Sequence, residues 1–335
     1  MRASLKTMTA IIAATTLLLA GTMTVSADKL PVSEAGQIGQ PEGEIAFIRQ
    51  KNVWTMNADG SEATMVAEVV NAEGRLSFSP DNRRIVFTRS GSIDLRAPDG
   101  MGGKHKVYDL FLAYRDSADV NNRLFWRRIT DELGSRSAQW LPDGRLIFAR
   151  DMNANMANAL EPNYQICMSD EMGDDLQILR KDYLNMVEHM TFPSLSINDE
   201  LAFINFYDYK QQGFAVLPIS EVMTSMDSVK AISGNFKQCF VPAWSPDGKW
   251  LVYVKGDMKS PGVYISTPDL RTQYLVFDPP VGIYPGTMAP PCFSPDSKWI
   301  TFSTTDKAIW IVDITGNGAR RLSPPGLDQA PAWSK

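Results

Sequence analysis

One short phrase, written six times, restricts this chain to a repeat fold. The fullest copy is Trp244-Ser245-Pro246-Asp247-Gly248-Lys249-Trp250-Leu251-Val252-Tyr253. The others are Phe78-Ser79-Pro80-Asp81, Trp140-Leu141-Pro142-Asp143-Gly144, Leu195-Ser196-Ile197-Asn198-Asp199, Phe293-Ser294-Pro295-Asp296 and a terminal Trp333-Ser334-Lys335. Successive copies stand 40 to 62 residues apart. Self-similarity at that interval marks a propeller, in which each repeat is one small sheet that buries its faces against its neighbours.

Each repeat divides into four strands. Val241-Pro242-Ala243-Trp244 is a first strand, and Ser245-Pro246-Asp247-Gly248 is a turn, with Pro presetting φ and Gly supplying a conformation that other residues resist. Residues 249–254 are a second strand, rich in aromatic and β-branched types; 262–266 and 271–276 are the third and fourth. The ends of the array complement each other. The unit beginning at Glu44 has strands two to four but no Trp-Ser-Pro strand, and the chain finishes on that strand alone, Ala330-Pro331-Ala332-Trp333-Ser334. Joining them hides two sheet edges that otherwise invite pairing with other chains. The expected fold is all-β: a six-bladed β-propeller of four-stranded blades, closed by the C-terminal strand completing the N-terminal blade.

Residues 1–27 read as a signal peptide, with basic Arg2 and Lys6, an apolar run from Met8 to Ala20, and the small-residue cleavage site Val25-Ser26-Ala27. The run is shorter than the roughly 20 apolar residues a spanning helix needs, and no later segment is apolar enough to span. The expected location is therefore the periplasm or the exterior, after cleavage near Ala27. Residues 28–43 read as an extended tail or linker, and 44–335 as the propeller. Loss of the leader removes two basic residues and no acid, taking the formal charge from -5 to -7. That acidity argues against a nucleic-acid partner, which requires a basic stripe. Cys167, Cys239 and Cys292 are too few for a disulfide framework. Cys239 and Cys292 fall on adjacent blades and have the option of pairing in an oxidising compartment; buried free thiols are the favoured reading.

At these residues the chain resembles the TolB-type propeller family, whose repeat is the phrase Pro-x-Trp-Ser-Pro-Asp-Gly-Lys, an Ile/Val/Tyr strand and an Asp-x-Gly turn. The resemblance covers Glu44 to Lys335. It implies the six-bladed fold and no particular activity, since similar propellers occur in TolB and in the non-catalytic half of prolyl-oligopeptidase-like enzymes. It is a resemblance to the propeller module alone, without the α/β domain that precedes it in TolB. No Gly-x-Ser-x-Gly elbow of a hydrolase is present.

The sequence holds no catalytic constellation, metal set or cofactor motif. Neither histidine, His105 or His189, has a partner at metal-ligand spacing. Asp81, Asp143, Asp247 and Asp296 occupy one turn of different blades, where Asp bonds its own backbone two residues on. Phe78, Trp140, Trp244, Phe293 and Trp333 suit packing between blades better than a ligand-stacking ring. Gly100-Met101-Gly102-Gly103-Lys104 lacks the spacing of a phosphate loop.

The strand division assigns the Ser-Pro-Asp-Gly and Asp-x-Gly turns to one face, and the long, varied loops to the other. Function concentrates on varied loops over a rigid scaffold. The candidate binding residues are therefore His105, Tyr108 and Arg115 in the loop at 96–126, Asp151 and Asn153 at 151–163, His189, and Tyr207, Tyr209 and Lys210 at 206–214. Met156, Met172, Met186, Met190, Met223 and Met226 add either an adaptable protein-binding surface or a roof over the core. The expectation is a non-enzymatic, monomeric interaction module for another protein of the cell envelope. The alternative is a small-ligand or carbohydrate binder, less favourably a lyase or hydrolase, acting through the axial funnel.

Overall fold

The computed structural model describes residues 29–94, 103–118, 124–154, 162–179, 189–207, 211–223, 239–256, 261–287 and 289–334. They form six antiparallel sheets around an axis. The first blade contains β1 (Glu44–Arg49), β2 (Asn52–Asn57) and β3 (Thr64–Ala67). The second is β4 (Ala72–Phe78), β5 (Arg84–Asp94), β6 (Lys104–Ala118) and β7 (Leu124–Arg128). The third is β8 (Ser135–Trp140), β9 (Leu146–Asp151), β10 (Tyr164–Ser169) and β11 (Gln177–Ile178). The fourth shows three strands among the described residues, β12 (His189–Leu195), β13 (Glu200–Tyr207) and β14 (Gln211–Pro218). The fifth is β15 (Cys239–Trp244), β16 (Leu251–Lys255), β17 (Gly262–Ser266) and β18 (Gln273–Phe277). The sixth is β19 (Cys292–Phe293), β20 (Trp299–Ser303), β21 (Ile309–Asp313) and β22 (Arg320–Arg321). The final strand, β23 (Asp328–Trp333), pairs with β1, giving the order β23-β1-β2-β3. Ile45 faces Trp333 and Ala46 faces Ala332 in that register.

The strands are apolar on both faces because each blade is covered on both sides. Successive side chains of a strand point oppositely. Thus Ile85 and Phe87 join Ala46, Ile48 and Val53 of the first blade, while Val86, between them, joins Trp140, Leu146 and Phe148 of the third. The same alternation sends Ile300 and Phe302 against Val252 and Ile265, and Ile309 and Ile311 against Ile45, Phe47 and Trp333. The repeated aromatic residues are buried, as packing between blades requires.

The turn aspartates carry structure. Ser79 Oγ donates to Asp81 at 2.6 Å, and Asp81 accepts the Arg83 backbone N–H at 3.0 Å; Ser245 and Asp247 repeat the first contact at 2.6 Å. The Ser79 hydroxyl, chiefly, holds the Asp81 carboxyl below its ordinary range. The segment read as a tail or linker is pinned on the turn side to the fifth and sixth blades and to β23 of the first. It holds α1 (Val32–Ala35), buries Leu30 and Ala35 among Phe293 and Ile314, and offers the carbonyls of Gly39 and Glu42 to the indole N–H groups of Trp299 and Trp333. All three cysteines are free thiols, and burial pushes Cys167 up to about 12. Among the described residues no helix is long and apolar enough to cross a membrane.

Candidate functional site

At the end of the axis opposite the Ser-Pro-Asp turns, a funnel of about 370 Å³ opens. Its wall is made by a bulge repeated in the inner strands. Ser137, Phe192, Val241 and Ala330 each stand three residues before the inner-strand Trp or Leu, and each has φ between 50° and 60°; Gly74 plays the part in β4 at 71°. The pairing registers of β4, β8, β12, β15 and β23 shift at these points. A bulge re-aims the side chains beside it. Glu73, Arg136 and Gln329, each just before its left-handed residue, consequently line the funnel. The hairpin turns add Lys51 and Lys307, and β6 adds Lys106 and Tyr108.

Among the described residues, four cationic side chains and one carboxylate therefore meet in the funnel of an acidic protein. Glu73 pairs with Lys106 at 2.8 Å and more loosely with Lys51 at 3.5 Å. Arg136 lies between two rings, 4.0 Å from the centroid of Tyr164 and 5.4 Å from that of Tyr108. Its Nε is buried with no hydrogen-bond partner. Burial pushes the Tyr164 hydroxyl up to about 12, against the pull of Arg136. An alkaline absorbance titration is expected to show Tyr164 protonated after exposed tyrosines, ordinarily near 10, have ionised. Tyr164→Phe should remove one late step; loss of an ordinary step instead would place Tyr164 in water.

Below the funnel, Arg75 crosses the axis from β4 and donates Nη1–H to the Pro193 carbonyl of β12 at 2.6 Å. Part of its surface reaches the axial space, but protein surrounds it deeply enough that burial pulls its guanidinium down to about 10. Beyond it, the aromatic inner-strand residues and Pro142, Pro246, Pro295 and Pro331 ring a second opening on the turn face, of about 180 Å³.

Of the residues singled out from sequence, Tyr108 is in the funnel wall. His105 lies three residues further out, opposite Ile93 on the β5–β6 hairpin, and strand alternation turns it away from the face shared by Lys106 and Tyr108. Arg115 requires correction. Segment 96–126, expected as a loop, contains the long strand β6, and the ten steps from His105 to Arg115 span roughly 33 Å. Arg115 therefore reaches the turn face, where it pairs with Glu44 and donates to the Asn82 carbonyl at 3.1 Å. Asp151 caps the β9–β10 connection, accepting the backbone N–H groups of Asn153 at 2.9 Å and Asn163 at 2.7 Å. His189 and Tyr207 end β12 and β13, and their side chains lie outside the described residues, as do Tyr209 and Lys210 entirely. Among the methionines, Met190 is core, while Met172 and Met223 are exposed on the turn face; Met156, Met186 and Met226 fall outside the described residues. Arg136, Lys51, Glu73 and Lys307 are not legible as a set in the sequence. The available signal is a cation in the inner strand Ser135-Arg136-Ser137, at the place where the fifth repeat has Phe240.

No family model matches the sequence. The architecture is similar to that of TolB from Acinetobacter baumannii, at 15% identity and TM-score 0.61 over 90% of this chain and 69% of that one. It is similar also to a putative TolB from Agrobacterium tumefaciens, at 12% identity and TM-score 0.57 over 87% and 92%. A chain of a nidogen/laminin complex matches at 9% identity and TM-score 0.56, over 86% and 97%. At such identities the likeness is one of fold, and in fold this chain is a TolB-like six-bladed β-propeller.

Proposed function

We propose that the chain is an exported, non-enzymatic interaction module that docks another protein of the envelope on its funnel side. The observation carrying this reading is an arc of exposed apolar side chains. Val281 and Tyr284 lie on the connection from the fifth blade to the sixth, Leu327 on that from the sixth to the first, and Val70 on that from the first to the second. Single exposed apolar residues need no explanation. Four on three consecutive connections of one face offer apolar contacts to a partner docking there. The Tyr284 loop is also fixed: the Thr305 N–H donates to the Tyr284 carbonyl at 2.8 Å, and Thr305 Oγ1 accepts the Tyr284 N–H at 3.1 Å. A pre-ordered loop loses less entropy on docking. The non-enzymatic part is supported by the turn aspartates' structural use, and export by the leader at residues 1–27.

A photo-crosslinking residue at Tyr284, in the exported protein, is expected to give a discrete adduct that Leu327→Glu abolishes. The same probe at Ile197, on the turn face, should give none. Adducts from Ile197 and not from Tyr284 would assign docking to the opposite face and overturn the reading.

A further inference from the structure

The arc just described is apolar; the funnel inside it is not, and its chemistry points elsewhere. The Arg136 guanidinium lies over the rings of Tyr108 and Tyr164, with a buried, unpartnered Nε. Among the described residues no carboxylate is within ion-pair distance of it. A buried donor without an acceptor is costly, here the Nε of a half-buried arginine, and arginine's planar fork matches carboxylate and phosphate groups. Its contacts with the two rings restrict the fork, so less side-chain freedom remains to be lost on binding. Lys307, across the funnel on the sixth blade, also has no carboxylate partner among the described residues. Lys51 and Lys106 share the single Glu73. Hydroxyl-bearing Thr287, Ser303 and Thr305 complete the wall.

We propose that the funnel is a binding site for a small molecule bearing two or more oxyanion groups, carboxylate or phosphate. Arg136 takes one group, and Lys307 with Lys51 takes another. The spread of the cations over the sixth, first and third blades calls for more than one negative charge. The cavity volume suits a compact ligand. Arg75, bonded from β4 to β12, lies on the turn-face side of this site. With four cations to one carboxylate among the described lining residues, the funnel carries a positive excess that concentrates anionic solutes. Lys106 stays with Glu73, which sets the register of the ligand by repelling its charge from that side.

The test is calorimetric titration of the purified mature protein at low ionic strength with citrate and, separately, inorganic pyrophosphate, with acetate as the single-charge control. One of the two multivalent anions is expected to bind, and which one identifies the oxyanion as carboxylate or phosphate. Acetate should not bind, and affinity should fall steeply with added salt. Arg136→Gln should weaken binding by roughly tenfold to a hundredfold, and Lys307→Ala by a smaller factor. Circular dichroism checks that Arg136→Gln is folded; if it is not, the Lys51→Ala/Lys307→Ala pair, on exposed turns, takes its place and should weaken binding comparably. Absence of heat with both anions up to about 10 mM, the weak end of measurable affinity, overturns the proposal. So does equal affinity in the wild-type and variant proteins. Leu327→Glu should leave anion binding unchanged, which separates this site from the docking arc.

Discussion

Trp333→Ala is expected to destabilise the protein by about 3–5 kcal/mol, the range for truncating a buried aromatic residue. Trp333 is 5% exposed and packs with Ile45, Phe47, Met56 and Trp299, at the seam where the last strand meets the first. Its indole N–H donates to the Glu42 carbonyl at 2.8 Å, so the variant also strips a partner from the N-terminal segment. Nearby, Asp328 is 1% exposed by side chain and holds Arg49 through two contacts of 2.6 Å. Both anchor β23, one at each end. An unfolding entropy of roughly 2.1 cal/mol/K per residue over about 300 residues converts each kcal/mol to about 1.6 °C, so Trp333→Ala should melt about 5–8 °C lower in a circular-dichroism scan. Removal of residues 328–335 should do more: it bares the whole edge of β1 and opens the ring, and the product is expected to elute as aggregate. A truncated chain that remains monomeric with near-native Tm would show that the ring does not depend on this strand.

Gly173→Ala should cost about 2–5 kcal/mol, and a matched control makes the cause readable. Gly173 sits in the β10–β11 turn at φ 87°, and a Cβ there would stand 2.1 Å from the Ile129 carbonyl oxygen. That oxygen belongs to the neighbouring blade's backbone, which has little freedom to retreat, because the Ile129 N–H is bonded to Leu110 in β6. Gly144 has the same φ of 87° with nothing near its Cβ position. Gly144→Ala therefore incurs only the left-handed backbone term, about 1–2 kcal/mol; Gly173→Ala adds overpacking, about 1–3 kcal/mol. Urea midpoints for the two variants measure the difference. Equal losses would mean that the second and third blades separate freely at this turn.

The fold is legible in the residues because its determinants are local and repeated. Ser-Pro-Asp-Gly states a turn by itself, Leu251-Val252-Tyr253-Val254 states a strand covered on both faces, and a missing first strand at Glu44 with a surplus one at Ala330 states closure. The site is less legible, for a physical reason visible at Arg115 and Arg136. Arg115 reads as a loop residue because nothing in 96–126 announces that β6 runs for fifteen residues; the pairing with β5 that extends it is a long-range contact. Arg136 reads as an ordinary strand residue because alternation alone does not predict a bulge. Non-glycine residues enter the left-handed region reluctantly, so Ser137, Phe192, Val241 and Ala330 carry no sequence mark of it. The bulges are imposed where inner strands converge on a narrow axis.

By itself, then, the order of residues determined a ring of β-sheets, its number of blades and the way its ends meet, since turn chemistry and hydrophobic periodicity act over a few neighbours and recur. Only the tertiary structure decided that Lys51, Arg136 and Lys307 face one cavity, that Arg75 reaches from β4 to β12, and that Val70, Val281, Tyr284 and Leu327 lie exposed on one face. Those groupings join residues from different blades, and their proximity is set by how the sheets pack around the axis.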